Sequence, residues 1–326
     1  MSTLKIHLTY RCSAECDHCH LRAGRFPSPA IDFDMAISTI RDLHKYNHLD
    51  FVVLLGGEPG LLPELTHRLA EAIQKLGIGF RIETNASWAV DDSSAQAFLS
   101  PLVKLGGSFL ISIDAFHESF IGLDPVERAI RTLDRMGGDY HLEIPYLDFP
   151  DARHPLDVRT NELLRELERR IGRSPCAKMY KGPVLFSGRA AHKLAPLVSQ
   201  DRGVPHEVCD TVPWWDHGSQ NTLEFLVLDP EGYVSKECGI AIGQVRTQSV
   251  REILESFCPE RHPILSVLIH KGPIGLVEEA AKEGFILRSN YADKCHLCQE
   301  VREALRNRYP SYLVPEHHYV EQGRRS

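Results

Sequence analysis

Cys12-Ser-Ala-Glu-Cys16-Asp-His-Cys19 spaces three thiols as C-x3-C-x2-C, directly after a short apolar run from Leu4 to Thr9. Three soft ligands within one short loop can wrap a single metal centre. Iron–sulfur clusters ordinarily take four cysteines, so a three-cysteine loop leaves one iron open to another ligand. Zinc also uses closely spaced cysteines, but it normally needs four N or S ligands and commonly draws them from paired C-x2-C units. The loop alone leaves both readings open.

The chain around it alternates short β-branched runs with amphipathic stretches. Strands are expected at Lys5–Thr9, Phe51–Leu55, Phe80–Thr84, Phe109–Ile113, His141–Pro145 and Lys178–Leu185. Helices are expected over Asp34–Tyr46, Leu62–Leu76, Ser93–Leu105, Pro125–Met136 and Asn161–Ile171, with Asp32 or Asp34 capping the first and Ser93 the third. Ile37, Ile40 and Leu43, or Leu65, Leu69, Ile73 and Leu76, recur at helical spacing. Six strands separated by helices pair in parallel through right-handed crossovers. Reactive groups of parallel barrels gather at strand C-termini. The second strand ends in Gly56-Gly57-Glu58-Pro59, where two glycines admit close backbone approach and the proline holds Glu58 extended. A plain tight turn is the other reading. The third strand ends in Thr84-Asn85 and the fourth in Ser112-Ile113-Asp114, small polar groups suited to a ribose or a carboxylate, or equally to turns and helix caps.

Together, the three-cysteine loop and the Gly-Gly-Glu-Pro turn resemble the radical S-adenosylmethionine (radical SAM) superfamily. The resemblance implies an α/β fold with a partial (β/α)6 TIM-like barrel, open along one side. It implies that Cys12, Cys16 and Cys19 bind a [4Fe–4S] cluster whose open iron chelates S-adenosylmethionine, cleaved to a 5′-deoxyadenosyl radical. Gly56, Gly57, Glu58 and Pro59 would bind the methionine amino group, with Thr84, Asn85, Ser112 and Asp114 as further cofactor contacts. A one-electron donor such as flavodoxin or ferredoxin is implied as partner. His18 replaces the family's usual aromatic residue before the third cysteine, and no glycine-bearing motif is recognisable on the fifth strand. His117 and Glu118, just past the fourth strand, are read as a solvated loop, with a substrate-facing role as the alternative. Ser187-Gly188-Arg189-Ala190 is similar to a Gly-Arg-Ala segment found where such barrels end; Arg189 balances buried charge there or sits on the surface.

Past Lys193 the chain turns polar and proline-rich to Val208, dividing a barrel over 1–192 from an extension over 193–326. The extension holds Cys209, a hairpin about Asp229-Pro-Glu-Gly232, Cys238 and Cys295-His-Leu-Cys298. Four cysteines make a complete thiolate site for a second [4Fe–4S] cluster or for zinc. This half resembles the cluster-binding extensions called SPASM and twitch, with one auxiliary cluster ligated by Cys209, Cys238, Cys295 and Cys298. Cys176 and Cys258 remain; a thiol beside a carbon radical can donate a hydrogen atom, and Cys258 is the candidate for that step. Trp214, Trp215 and His217 are expected to pack the junction.

The 326 residues carry 43% hydrophobic and 25% charged side chains, ordinary for a globular protein with a sizeable core. A net charge of −7 argues against nucleic acid as partner. No run approaches a membrane span and no signal peptide precedes the first strand, so a cytoplasmic location is expected, where nine cysteines mean metal or catalysis rather than disulfides. The reading is an oxidoreductase that abstracts hydrogen from a peptide or protein. The alternatives are an epimerase or dehydrogenase of a small natural product such as an aminosugar, and a non-catalytic iron–sulfur electron carrier. Against the peptide reading, the first strand begins at the start of the sequence and leaves no room for a leader-binding domain.

Overall fold

The computed structural model describes residues 2–172, 179–198, 202–209, 225–236 and 238–320. Cys176, Trp214, Trp215 and His217 lie outside the described residues. The first half is a run of parallel strands joined by helices: β1 (Ser2–His7), α1 (Phe33–Asn47), β2 (Leu49–Leu55), α2 (Pro63–Lys75), β3 (Gly79–Thr84), α3 (Asp92–Lys104) and β4 (Ser108–Ser112). It continues through the short α4 (Ala115–Glu118), α5 (Leu123–Met136), β5 (Asp139–Tyr146), α6 (Pro155–Ile171) and β6 (Met179–Pro183). β1 to β6 lie side by side in sequence order, each parallel to the next. This is consistent with the partial six-stranded barrel that the resemblance implies.

Two helix starts differ from expectation. Asp91, not Ser93, caps α3 by accepting from Ser94 N at 2.7 Å. Asp32 caps α1 by accepting from Met35 N at 2.8 Å. α6 begins at Pro155, six residues before the expected Asn161, with the proline in its first turn. The missing N–H costs nothing there, so Pro155 opens the helix instead of marking a break before it.

One face of the strands is apolar and covered by helices. Leu4, Ile6, Val52, Leu54, Phe80, Ile82, Phe109, Ile111, Leu142 and Ile144 form one core with Ile37, Ile40, Leu69, Ile73, Leu99 and Ile130 of the helices. The alternate residues face the lumen and are largely polar: Lys5 and His7 on β1, Arg81 and Glu83 on β3, Glu143 on β5 and Tyr180 on β6 all line one cavity. Period-2 alternation in strands whose outer face is covered means a polar interior. The barrel is therefore a vessel, not a packed core.

β7 (Phe225–Leu228) pairs in parallel with β1, and β8 (Tyr233–Ser235) and β9 (Ala241–Gln244) follow antiparallel. The sheet order is β6-β5-β4-β3-β2-β1-β7-β8-β9. The hairpin about Asp229-Pro-Glu-Gly232 thus extends the barrel sheet across the boundary expected near residue 192. The short α7 (Arg189–Lys193) and α8 (Ala195–Val198) leave β6. α9 (Val250–Ser256) returns to the barrel core through Val250 and Ile253. α10 (Leu265–Lys271), α11 (Val277–Lys282) and α12 (Lys294–Ala304) build a second core from Ile264, Leu268, Leu276, Leu297, Val301 and Leu313. Among the described residues no helix is long and apolar enough to cross a membrane.

Candidate active site

The cysteine loop leaves the C-terminal end of β1 and is held on its outer side by Arg189. The Arg189 guanidinium donates to Cys16 O and Ala23 O, both at 2.7 Å, and its backbone N–H to Cys19 O at 3.0 Å. The Gly-Arg-Ala segment is therefore a clasp on the loop, not a surface feature. On the other side stands the turn after β2. Gly57 N donates to Thr9 O at 2.7 Å and Glu58 N to Arg11 O at 3.1 Å. A Cβ on Gly57 would sit 2.0 Å from Arg11 O, and one on Gly56, whose φ is +128°, 2.5 Å from Thr9 O. Only glycine permits this approach. Gly57→Ala should displace the loop, and displacements of about 1 Å cost on the order of 100-fold in rate. The expected result is a matching fall in 5′-deoxyadenosine formation by the reconstituted protein; a rate within twofold of wild type would refute the clasp.

Glu58 is fully buried, and its carboxylate is consumed by the fold. Oε1 accepts from Gly60 N and Thr84 Oγ1, each at 2.8 Å, and Oε2 from Asn85 N at 2.9 Å. Burial pushes its carboxyl up, and those three donors oppose the shift. Glu58 thus welds the ends of β2 and β3 together, leaving only backbone for any ligand. Asn85 Nδ2 lies 3.1 Å from Ser13 Oγ and 3.5 Å from Cys12 Sγ. Burial and the neighbouring Glu58 push the Cys12 thiol up to about 12. A metal cation would reverse that cost by stabilising the thiolate.

The fourth strand differs from expectation. The Asp114 carboxylate is turned away from the cavity: Oδ1 accepts from Phe116 N and His117 N, and Oδ2 lies 2.7 Å from His117 Nδ1. His117, expected in a solvated loop, takes its place. Its ring lines the cysteine cavity, lies 4.9 Å from His18, and has a ligand nitrogen within 4.8 Å of those of His18 and the Cys16 sulfur. Burial disfavours the imidazolium, but Asp114 and Cys16 overcome it and hold His117 well above its ordinary value. The sequence signal is Asp-x-x-His on a helix start, legible only once Asp114 is known to cap that helix. Glu118 is spent on Arg159, 2.9 Å from its Nε. Ser112 lines the cavity as expected.

This cavity, of about 320 Å³, holds all three cysteines together with Gly56, Gly57, Thr84 and Asn85. It shares Lys5, Leu55, Glu83 and Glu143 with a second of about 490 Å³ that runs down the barrel to Asp229, Cys238 and His318. The two form one lumen. Cys238 also lines a third, small cavity with Cys209, Cys295 and Cys298, so the four cysteines of the extension converge as expected. Among the described residues no three of these sulfurs come within 4.8 Å of one another. Tetrahedral zinc with bonds of about 2.3 Å needs sulfurs about 3.8 Å apart. Lys236 and Arg302 line the same cavity, both almost fully buried. Cys258 lies elsewhere: its thiol donates to Glu260 Oε2 at 3.2 Å, and it lines neither part of the lumen.

The donor set fits a three-thiolate cluster site beside a cavity large enough for a nucleoside. Comparison with known proteins agrees. The Radical SAM superfamily matches residues 6–144. YydG of Bacillus subtilis (strain 168), named for peptide biosynthesis, is 23% identical over 195 residues, which are 59% of this chain and 57% of YydG. The chain thus matches little more than half the length of that relative. Among solved structures, anSMEcpe with bound AdoMet and Cp18Cys peptide superposes with a TM-score of 0.55 at 17% identity, over 95% of this chain and 98% of that one. SuiB of Streptococcus suis bound to precursor peptide SuiA gives 0.50 at 14% identity, over 85% and 72%. The cysteine loop at the end of β1 and the family match from β1 into β5 make residues 6–144 of this chain similar to the radical SAM superfamily.

Proposed function

We propose that this chain is a radical SAM enzyme that abstracts a hydrogen atom from a peptide or protein substrate held in the barrel lumen. The observation that carries this reading is the continuous lumen, which opens on the three-cysteine loop at one end and reaches Cys238 at the other. Cys12, Cys16 and Cys19 would hold a [4Fe–4S] cluster, and the backbone of Gly56–Pro59 with Asn85 and Ser112 would hold S-adenosylmethionine. Together these cofactors supply a 5′-deoxyadenosyl radical. The chain's own part is positioning and exclusion of water. Arg189 and the Gly-Gly turn fix the loop from two sides, Glu58 ties β2 to β3, and the Asp114–His117 pair closes the wall beside Cys16.

Cys209, Cys238, Cys295 and Cys298 would hold a second cluster. The buried Arg302 beside them fits an anionic four-thiolate centre, with zinc as the alternative that an iron count decides. The location of Cys238 on the lumen wall supports a centre close enough to the substrate to accept an electron during an oxidation. YydG's name, the peptide bound to anSMEcpe and the precursor peptide bound to SuiB support a peptide as substrate here too. Flavodoxin or ferredoxin would supply the reducing electron.

The test is anaerobic reconstitution with dithionite and S-adenosylmethionine. 5′-Deoxyadenosine should form, and a pooled synthetic peptide library should raise its yield more than a pool of aminosugars does. No 5′-deoxyadenosine would leave a passive electron carrier; stimulation by the sugars alone would replace the peptide with a small natural product.

A further inference from the structure

Among the described residues the lumen contains few formal charges, and all but one of these are engaged by neighbours. Arg81 Nη2 donates to Glu83 Oε1 at 2.7 Å. Lys5 Nζ lies over the Phe225 ring, 5.5 Å from its centroid. Asp229 accepts from Glu231 N at 2.9 Å, Tyr233 N at 2.8 Å and Tyr10 Oη at 3.3 Å, locking the β7–β8 turn. Glu143 differs. It lies mid-strand on β5, opposite Ser112, and its side chain is exposed and lines the lumen. Among the described residues no hydrogen bond or ion pair reaches its carboxylate. It lines both the cysteine cavity and the deeper one, so it stands where they meet.

A lumen carboxylate that no described group of the chain meets is left to water or to a ligand. The barrel wall around it raises the Glu143 carboxyl to about 7. The charges facing it from neighbouring elements divide: Glu83 on β3 and Asp114 after β4 oppose its ionisation, while His117 and Lys5 favour it. None of them is close enough to hydrogen-bond. What would satisfy the group must come from outside the chain.

We propose that Glu143 is the specificity-determining residue of the lumen, and that it recognises a cationic group of the substrate, a primary amine or guanidinium such as a lysine or arginine side chain, beside the reactive end of the cavity. This rests on the lumen being the substrate site. A substrate cation that displaces water from the lumen would pair with Glu143 through charge-assisted hydrogen bonds. It would also fix the substrate's register against the cysteine loop, because strand β5 is rigid on both sides through its ladders with β4 and β6. A neutral isostere would fill the same space and leave the carboxylate unpaired, and that difference is what a site uses to discriminate.

The experiment is isothermal titration calorimetry of the anaerobic, reconstituted protein with S-adenosylmethionine present and no reductant. The probes are Nα-acetyl-lysine N-methylamide and its norleucine isostere. Wild type should bind the lysine probe at least tenfold more tightly than the norleucine probe. Glu143→Gln should collapse the preference to within twofold, and Glu143→Asp, which keeps the charge, should retain most of it. Iron content equal to wild type checks that each variant is folded and loaded. Equal binding of the two probes by wild type, or a preference that survives Glu143→Gln, overturns the proposal. Because no turnover is read, this result is separate from whether the chain forms 5′-deoxyadenosine.

Discussion

Replacing Cys12, Cys16 and Cys19 together by alanine should lower the iron of the reconstituted protein from about eight to about four per chain and abolish 5′-deoxyadenosine formation. The three thiols come from one loop, and among the described residues no fourth cysteine lines its cavity to replace them. The loop's fold should survive. Its short hydrogen bonds to the rest of the barrel are accepted by backbone carbonyls: Arg189 to Cys16 O and Ala23 O, Gly57 N to Thr9 O, and Glu58 N to Arg11 O. None of these uses a sulfur. The barrel core lies on the far face of the strands, in Ile6, Leu54, Ile82 and Ile111, and does not touch the loop. The melting temperature without metal should therefore stay within a few degrees of wild type while activity disappears. Four irons in wild type and none in the variant would remove the second cluster from the proposal. The extension cysteines would then be left to zinc or to no metal, and an electron-accepting role would go with them.

Much of this site is legible in the amino-acid sequence, and the reasons differ from residue to residue. The cysteine loop and Gly56–Pro59 are local: ligand spacing and glycine freedom are properties of a few adjacent residues. The six strands and their order follow from alternation and short connections. The polar lumen is present in the same alternation, as Lys5 and His7, Arg81 and Glu83, and Glu143, but it can be assigned to the inside only once the apolar face is seen covered by helices. What stays hidden in the sequence is long-range. Arg189 meets Cys16 across 173 residues of chain. β7 joins β1 across more than two hundred, and so turns an expected separate hairpin into part of the barrel sheet. Asp114 spends one carboxylate oxygen on the helix start and the other on His117, so His117 and not Asp114 lines the cavity, and that pairing is visible only in the fold. Cys258 sits next to a helix end like many reactive thiols, yet its position in space is away from the lumen, and spacing alone carries no sign of that.

Arg302→Met should empty the extension site while sparing the barrel one. Arg302 is 1% exposed, and among the described residues no carboxylate comes within ion-pair distance of it. Its guanidinium is held by uncharged groups: Tyr319 Oη at 2.6 Å, Cys298 O at 3.2 Å, Gln299 Oε1 at 3.3 Å and Cys238 O. A buried charge is ordinarily paired, and the anions available here are the thiolates of Cys238 and Cys298, which help hold Arg302 charged against its burial. Lys236 in the same wall cannot substitute, because burial alone lowers it to about 6. Without Arg302 four thiolates around a cluster would face an apolar wall with no fixed cation, and removing one partner of a buried charged set costs about 3–5 kcal/mol. The expected reading is a fall from about eight irons to about four, with 5′-deoxyadenosine formation retained because the Cys12–Cys19 loop is untouched. Arg302→Lys should recover only part of the loss, since an ammonium cannot span Tyr319, Gln299 and two carbonyls as a planar fork does. Eight irons in Arg302→Met would show that the cavity tolerates four thiolates without this cation, and the electrostatic account of the second centre would fail.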